Sequence, residues 1–373
     1  MIKIILNIIF CFLILSCSSS TSIVEATQTF DVTSTPTEFS VTPIIYTPTL
    51  SPPDFENLQP INASNISSLV VLSEFRLNTR LDDYAVAVQW MTDSKEIYVL
   101  KNNGGMEIWN VEEGKRSKLF ESADEDVRSI GWNPETHLVA YVNETTDEVS
   151  VWDLENNKFL FNLGSHTNPF VNSVSVSWSP DKTKIVSVGW ENILKVWDAS
   201  TGKEIKTIQS DSFWFESIAW SPDGKQIAVG HKNGTVYIID TESWKIVNTL
   251  LGHNSSHSGG VPVIDWSSDG TKIVSGGRDE LRIIIWDSQG NMLYQLENQP
   301  LSVFGLSWSP DNKMIIASGE GRYVVITDAM TGEELLILGK LDPNTYCVGW
   351  SPNGKMLATI DGGGRIKIWG IHP

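Results

Sequence analysis

The sequence predicts an all-β protein built from seven copies of one short structural unit, and three observations carry this prediction. First, related strings such as Trp-Ser-Pro-Asp-Gly-Lys recur after gaps of 42, 46, 42, 46, 42 and 42 residues. Second, short runs of alternating apolar and polar residues follow each string, as in half-buried strands. Third, Gly, Asp and Pro separate these runs. The tryptophans that mark the units are Trp90, Trp132, Trp178, Trp220, Trp266, Trp308 and Trp350.

Each unit has room for four strands. In the third unit the first strand ends at the marker tryptophan, and Ile185–Val188 alternates in the second. A third strand ends at Trp197-Asp198, and the turn Ala199–Lys203 leads into a weaker outer strand, Ile205 to Ile208. A fixed period of about 42 residues with this content is typical of architectures built blade by blade. The third strands of the other units end at Trp109-Asn110, Trp152-Asp153, Ile239-Asp240, Trp286-Asp287, Thr327-Asp328 and Trp369-Gly370.

Composition and charge exclude several classes of protein. The chain of 373 residues has 45 acidic and 27 basic side chains, a formal net charge of −18. Nucleic-acid binding requires clustered Lys and Arg, so the charge argues against it. A hydrophobic content of 41% is ample for a core, and three cysteines are too few for a disulfide framework.

From about residue 67 to residue 369 the chain resembles a WD-repeat β-propeller. The Ser-Pro-Asp-Gly turns, the period and the Trp-Asp strand ends together carry this resemblance, and they cover most of the chain. It implies a seven-bladed ring of four-stranded antiparallel blades. The last unit stops just after its third strand, so we expect the apolar stretch Leu69–Phe75 to supply the missing strand. The N-terminal strand then completes the last blade and closes the ring.

The first residues carry signs of export. An apolar run of 12 residues from Ile4 to Leu15 follows Lys3 and is too short to span a bilayer, so residues 1–16 read as a signal peptide. The string Leu-Ile-Leu-Ser-Cys resembles a bacterial lipobox, which implies that Cys17 carries a lipid. The alternative is an ordinary secretory signal cut nearby, with Cys17 incidental. With Cys11 removed in the signal, Cys347 has no disulfide partner.

A tether is expected to follow the anchor. Residues 18–60 contain 7 Ser, 9 Thr and 6 Pro, and they lack Gly, Lys and Arg. Such a segment buries too little apolar surface to offset its chain entropy, so residues 17–60 are predicted to be a lipidated cysteine followed by a disordered linker. Residues 61–373 are predicted to form the propeller.

The resemblance implies a buried hydrogen-bonded network of His, Ser or Thr, Asp and Trp in some blades. The fifth unit fits best, with either His253 or His257 as its histidine, and the third unit has Glu in place of Asp. A Ser-His-Asp trio also suggests a hydrolase triad, but in the family this trio is buried and has no substrate cleft. The candidate network residues are His166, Ser187, Glu191 and Trp197 in the third unit, and His253, His257, Ser275, Asp279 and Trp286 in the fifth.

The face that carries the loops into each blade and those between its second and third strands is the expected partner surface, here called the top face. Aromatic residues that the repeat does not require are candidate anchors for a protein or peptide. The alternative is that Phe213 or Phe215 packs between blades. Four histidines, including His231, are expected on the same face, but their spacing matches no zinc site, so neither metal nor cofactor is predicted. The anchor candidates are Phe170, Trp190, Phe213, Trp214 and Phe215.

These observations predict a lipid-anchored, extracytoplasmic, non-catalytic protein-binding scaffold with a monomeric head. Two alternatives are a module that binds cell-envelope glycan and, less favoured, a hydrolase or lyase with its site in the central channel. An enzyme needs several acid or base groups in that channel. Among the residues that precede the marker tryptophans, Asp265 is the only carboxylate, which disfavours catalysis. Fold analogy alone does not choose the partner.

Overall fold

A computed structural model describes most of the ring, which lies within the compact unit Ile44–Pro373. The described residues are 54–77, 85–101, 105–120, 127–133, 136–143, 148–156, 158–165, 173–189, 192–209, 214–254, 260–278, 282–296, 302–320, 324–338, 345–361 and 363–373. This part of the chain contains 28 strands and one short 3₁₀ helix, Ile66–Ser68. No helix in it has the length and apolar character needed to cross a membrane.

The strands form seven separate four-stranded antiparallel sheets, numbered here as blades 1 to 7. The strands, from innermost to outermost, are as follows. Blade 1 contains β2 (Ala85–Trp90), β3 (Glu96–Lys101), β4 (Met106–Asn110) and β5 (Lys115–Phe120). Blade 2 contains β6 (Val127–Asn133), β7 (Leu138–Asn143), β8 (Glu148–Asp153) and β9 (Lys158–Ser165). Blade 3 contains β10 (Ser173–Trp178), β11 (Lys184–Gly189), β12 (Ile193–Asp198) and β13 (Glu204–Gln209). Blade 4 contains β14 (Phe215–Trp220), β15 (Gln226–His231), β16 (Thr235–Asp240) and β17 (Lys245–Leu251).

The remaining blades follow the same order. Blade 5 contains β18 (Val263–Trp266), β19 (Lys272–Gly276), β20 (Ile283–Asp287) and β21 (Met292–Leu296). Blade 6 contains β22 (Val303–Trp308), β23 (Met314–Gly319), β24 (Val324–Asp328) and β25 (Glu334–Leu338). Blade 7 contains β26 (Thr345–Trp350), β27 (Met356–Asp361), β28 (Arg365–Gly370) and, as its outermost strand, β1 (Val70–Arg76). Each innermost strand contacts those of both neighbouring blades, and β2 contacts β26, so the ring is closed. The predicted fold class, a seven-bladed all-β propeller, is confirmed.

The N-terminal strand closes the ring as the sequence predicts. β1 pairs antiparallel with β28, from Val70 opposite Gly370 to Arg76 opposite Arg365. The side chain of Phe75 in β1 also reaches the first blade, where its phenyl group stacks on the Trp109 indole at a centroid distance of 4.7 Å. β1 therefore connects the last blade to the first, and each of the described sheets has four strands.

The ring begins earlier in the chain than composition indicates. Leu58 is 2% exposed and belongs to the apolar core, and the N–H of Gln59 donates to the Ile371 carbonyl at 3.0 Å. Ile61 donates likewise to the Gly354 carbonyl at 3.0 Å. Residues 54–60, which their proline and polar content assigned to the linker, therefore pack on the ring, because a few apolar side chains are enough to hold them there.

The marker tryptophans join neighbouring blades. The indole N–H of Trp178 donates to the Gly131 carbonyl of the preceding blade at 2.9 Å, and Trp266 donates to the Ala219 carbonyl at 3.1 Å. Trp90 makes the same bond to the Gly349 carbonyl at 3.1 Å, across the closure of the ring. The prediction that these tryptophans pack between blades is confirmed, so they are scaffold residues.

The turn after each marker tryptophan requires a left-handed backbone. In six units the fourth residue after the tryptophan has positive φ, and glycine stands there in only three of them. The side chains pin the turn, because the hydroxyl of Ser179 donates to Asp181 at 2.6 Å and accepts the Lys184 N–H at 2.9 Å. The six residues with positive φ are Ser94, Lys182, Gly224, Gly270, Asn312 and Gly354.

We expect Lys182→Gly to stabilise the ring by about 0.5–1 kcal/mol, since Lys182 holds φ at 64° and glycine removes the steric cost of that conformation while losing more chain entropy. Urea unfolding followed by tryptophan fluorescence measures the change. The matched control is Gly224→Lys at the corresponding turn of blade 4, which is expected to destabilise. Equal stability of both variants and the parent would contradict the argument.

Candidate functional site

The top face carries one exposed tryptophan in the described part of the chain. Trp214 directly precedes β14 and is 36% exposed, and its carbonyl accepts the N–H of Lys232 at 2.8 Å. This bond ties the loop into blade 4 to the turn between β15 and β16. Phe170, Trp190 and Phe213, the other predicted anchors in the loops, lie outside the described residues.

Phe215 is not a surface anchor. It is 1% exposed and its ring meets His231 edge-on at 5.5 Å and Tyr237 at 6.5 Å. The strand begins at Phe215, opposite His231, and the alternation of the strand turns this side chain into the core between blades 3 and 4. Inclusion of Phe215 among the partner-binding residues is thus corrected to the alternative reading, packing within the ring.

His231 is also buried, although the sequence places it at the top face. It is fully shielded from solvent, and its Nδ1 accepts the N–H of Asn233 at 3.3 Å. Its ring packs edge-on against Tyr237 at 5.4 Å. Within the described residues no group of three or more His, Cys, Asp or Glu is placed to hold a metal ion.

A buried charge cluster lies beside Trp214, and sequence reasoning missed it. One carboxylate oxygen of Glu216 is 3.5 Å from Lys232 Nζ and 3.4 Å from an Arg278 guanidinium nitrogen. The Glu216 side chain is 4% exposed and that of Arg278 is 33% exposed. Gly260 covers the carboxylate so closely that a Cβ at this position would collide with it. The cluster therefore fixes the loops of blades 4 and 5 at the top face.

The cluster could have been anticipated only in part. Lys232 and Arg278 each follow the second strand of their blades, and topology puts such positions on one face. The inward position of Glu216 depends on the register shift between Phe215 and Ser217, which places an extra residue in β14. The same shift occurs at the corresponding position in the innermost strands of blades 1, 3, 6 and 7, so it belongs to the repeat, but the repeat does not show which residues of other blades meet Glu216.

Blade 5 contains the polar network that the resemblance implies, with His253 as its histidine. His253 Nε2 lies 2.7 Å from the Ser275 Oγ, and the Trp286 indole donates to the same oxygen at 2.8 Å. Blade 3 has the Trp197 to Ser187 bond at 2.9 Å. The other predicted members, His166, Glu191, His257 and Asp279, lie outside the described residues.

The trio around Ser275 is unsuited to nucleophilic catalysis. Ser275 is fully buried, and its hydroxyl oxygen is engaged by both an indole and an imidazole. A serine nucleophile must reach a substrate carbonyl and needs donors for the developing oxyanion. The arrangement instead connects the loop that enters blade 5 to two of its strands.

The central channel holds one carboxylate among the residues that precede the marker tryptophans. Burial raises the pKa of Asp265 to about 7, and backbone N–H groups oppose the rise only in part. One of these, the Trp308 N–H of blade 6, donates to the carboxylate at 3.1 Å. The protein encloses the carboxyl group, although the residue as a whole is only partly buried. A single carboxylate with a structural partner does not form an acid–base pair.

Geometry and sequence together define the class: the chain is a seven-bladed β-propeller that contains WD40 repeats. Residues 157–198, 290–328 and 337–370 match the family described as WD domain, G-beta repeat. Residues 209–269 match the anaphase-promoting complex subunit 4 WD40 domain.

Known proteins similar to this chain resemble it over parts of their length. The intraflagellar transport protein 80 homolog of Mus musculus is 26% identical over 188 residues, which is 50% of this chain and 22% of that protein. WD repeat-containing protein 1 of Bos taurus is 25% identical over 194 residues, or 51% of this chain and 31% of that protein. Protein HIR1 of Cryptococcus neoformans is 29% identical over 132 residues, 35% of this chain and 14% of that protein. The chain thus spans less than a third of the length of these curated relatives.

Proposed function

We propose that this protein is a non-catalytic protein-interaction scaffold, anchored by a lipid outside the cytoplasm, that binds a protein or peptide at its top face. The observation that carries the proposal is Trp214, an aromatic side chain that is 36% exposed and lies next to the Glu216, Lys232 and Arg278 cluster. Aromatic and arginine side chains are the residues most often found at the energetic centre of interfaces.

Similarity to WD-repeat proteins supports the scaffold role, since the matched proteins include WD repeat-containing protein 1 and the intraflagellar transport protein 80 homolog. The buried state of Ser275 and the single channel carboxylate support the absence of catalysis. The excess acidic charge of the chain supports a partner other than nucleic acid.

The lipid anchor rests on the sequence around Cys17. The first described residues of the chain lie on the opposite side of blade 7 from its top loops, because residues 59 and 61 bond to Ile371 and to the β26–β27 turn.

The anchor is tested by Cys17→Ala. We expect the parent chain to incorporate a labelled fatty acid and to sediment with membranes, and the variant to lose both properties because it has no thiol to acylate. Cys347→Ala is the matched control, since burial raises the pKa of that thiol to about 12 and keeps it inert. A parent chain that takes up no label would contradict the lipid anchor and would leave the top-face proposal unaffected.

The top face is tested by a Trp190→Ala/Trp214→Ala double variant. Cross-linking in intact cell envelopes, followed by affinity capture and mass spectrometry, is expected to yield a partner with the parent chain and to lose at least tenfold of it with the variant. Met330→Ala changes an exposed side chain in the turn after β24 and serves as the control. Unchanged capture by the double variant would count against the proposal.

A glycan ligand is the second candidate, because an exposed tryptophan also stacks on sugar rings. Binding of the parent chain to an array of envelope glycans, lost in the same double variant, would replace the protein partner with a glycan. No binding on the array, together with a captured protein, supports the scaffold.

A further inference from the structure

The outer rim of the ring exposes apolar side chains in one place more than elsewhere. Nine large apolar side chains are exposed in the described residues, and five of them lie on β17 and β21, the outermost strands of the adjacent blades 4 and 5. Leu251 is the most exposed, at 70%, followed by Val247 at 54%. The five are Ile246, Val247, Leu251, Met292 and Leu293.

β17 and β21 are in contact, although Leu251 lies on the face of β17 opposite Leu250, which packs against blade 5. The terminal carbon of Met292 lies so close to Gly252, directly after β17, that a Cβ on that glycine would be 2.6 Å from it. The side-chain amide of Asn248 donates to the carbonyl of Gln289, in the turn before β21. We call this surface, residues 245–252 together with Met292, the blade-4 edge.

The blade-4 edge is a sheet edge without the usual protection. β17 pairs with β16 along its length, and no described strand lies on its other side. One row of its backbone N–H and C=O groups therefore points away from the sheet. Proteins commonly protect such edges with charged side chains, and β5 of blade 1 has Lys115, Arg116 and Lys118. Lys245, at the first position of β17, is the one charge on β17 and β21. The outermost strands β9 and β25 also have one charge each, but they expose fewer large apolar side chains than β17.

The part of β17 that is free of distortion is short. The pairing with β16 shifts at Val247, which has no partner there, and is regular from Asn248 to Leu251. The shift turns Val247 away from the ladder. An added strand thus finds four regular residues for backbone hydrogen bonds, with Leu251 and Val247 at either end for side-chain contact.

Charge indicates the kind of strand that fits. Glu242 is exposed in the turn before β17 and lies three residues before Lys245. The whole chain has a formal charge of −18, so a second copy brings a repelling charge, whereas basic residues are attracted. An apolar segment with basic flanks satisfies both the strand and its surroundings.

We propose that the blade-4 edge binds an extended apolar segment of a partner protein, flanked by Lys or Arg, as a fifth strand of blade 4. Backbone hydrogen bonds give such a contact its affinity, and the apolar side chains next to it give its register. The contact lies on the rim rather than on the top face, so a test of this proposal does not depend on whether a partner binds at Trp214.

A synthetic peptide tests the proposal on the full-length chain. The probe is a blocked, fluorescein-labelled decapeptide of alternating Val and Thr with Lys at each end, and binding is read by fluorescence anisotropy. We expect saturable binding that weakens about tenfold in Leu251→Lys and in Val247→Lys. The control is Phe159→Lys, which puts the same charge at an exposed apolar position on the outermost strand of blade 2 and is expected to bind like the parent. All three positions are exposed, and thermal melts check that the variants fold.

Two further readouts separate the alternatives. A probe with Glu in place of Lys is expected to bind more weakly in low salt, with a difference that shrinks as salt is added. Amide hydrogen exchange is expected to show protection of residues 248–251 by the Lys probe. Equal binding to Leu251→Lys and parent overturns the proposal. A concentration-dependent dimer in sedimentation, abolished by Leu251→Lys, also overturns it and makes the edge an interface between two copies.

Discussion

Deletion of residues 66–77 is expected to abolish cooperative unfolding of the ring. These residues include β1, which is the outermost strand of blade 7, and their side chains Leu69, Leu72 and Phe75 are all less than 9% exposed. Burial of each such side chain is worth about 1.5–3 kcal/mol, so the loss is comparable to the ~5–15 kcal/mol total stability of a typical protein. Calorimetry and urea unfolding measure the effect, with a broad or absent transition as the expected result.

A matched deletion of residues 18–50, which removes only the segment predicted to be a linker, is the control and is expected to leave the melting temperature unchanged. Phe75→Ala provides a graded version. This substitution removes the phenyl group that stacks on Trp109 and is expected to lower the free energy of unfolding by about 3–5 kcal/mol. A deletion of 66–77 that melts like the parent chain would show that blade 7 is stable with three strands and that β1 does not close the ring.

Asp265→Asn is expected to stabilise the protein above pH 7 and to flatten its stability between about pH 4 and pH 7. The pKa of Asp265 is raised from 3.8 to about 7 by burial. A group whose pKa is raised in the folded state stabilises the fold fully below its unfolded-state pKa. This stabilisation is lost as the pH rises through the folded-state pKa. The ionised Asp265 therefore costs on the order of 2–4 kcal/mol at pH 8.

Asparagine has no charge to bury and keeps an acceptor for the Trp308 N–H. Urea unfolding of parent and variant at pH 4 and pH 8 measures the effect, and the difference between them is expected to be small at pH 4 and largest at pH 8. A parent and variant with parallel pH profiles would refute the buried carboxylate as the cause.

Asp198→Asn is the control of opposite sign. The hydroxyls of Ser200 and Thr201 donate to this carboxylate, which lowers its pKa to about 2. The ionised Asp198 carboxylate stabilises the fold above its unfolded-state pKa, and this stabilisation is lost as the pH falls through 2. The asparagine variant is therefore expected to be less stable than the parent at pH 8. The two variants thus move stability in opposite directions at the same pH.

Much of the fold was predictable because short sequence patterns that depend on neighbouring residues specify its strands and turns, and these patterns repeat along the chain. The seven tryptophan strings set the number of blades, and the absence of a fourth strand after Trp369 indicated that Leu69–Phe75 completes the last blade. A strand period of two and a turn with positive φ depend on a few neighbouring residues, so a single sequence is sufficient to see them.

The candidate site was predictable only as a location. Trp214 is exposed as predicted, but Phe215, its immediate neighbour, is buried, because a strand begins between them and alternates its side chains. The Glu216, Lys232 and Arg278 cluster joins residues that are 62 positions apart at its ends, from Glu216 to Arg278. Likewise, the choice of His253 depends on which loop residue comes within 2.7 Å of Ser275.

The sequence by itself determined that this protein is a ring of seven four-stranded blades closed by its own N-terminal strand, because periodic hydrophobic patterns and turn residues act over short distances and repeat seven times. Only the tertiary structure decided which polar groups are buried together, which residue of an adjacent pair faces the core, and where the rim stays unprotected. Those outcomes depend on contacts between blades, which bring together residues far apart in the chain and leave no periodic trace in it.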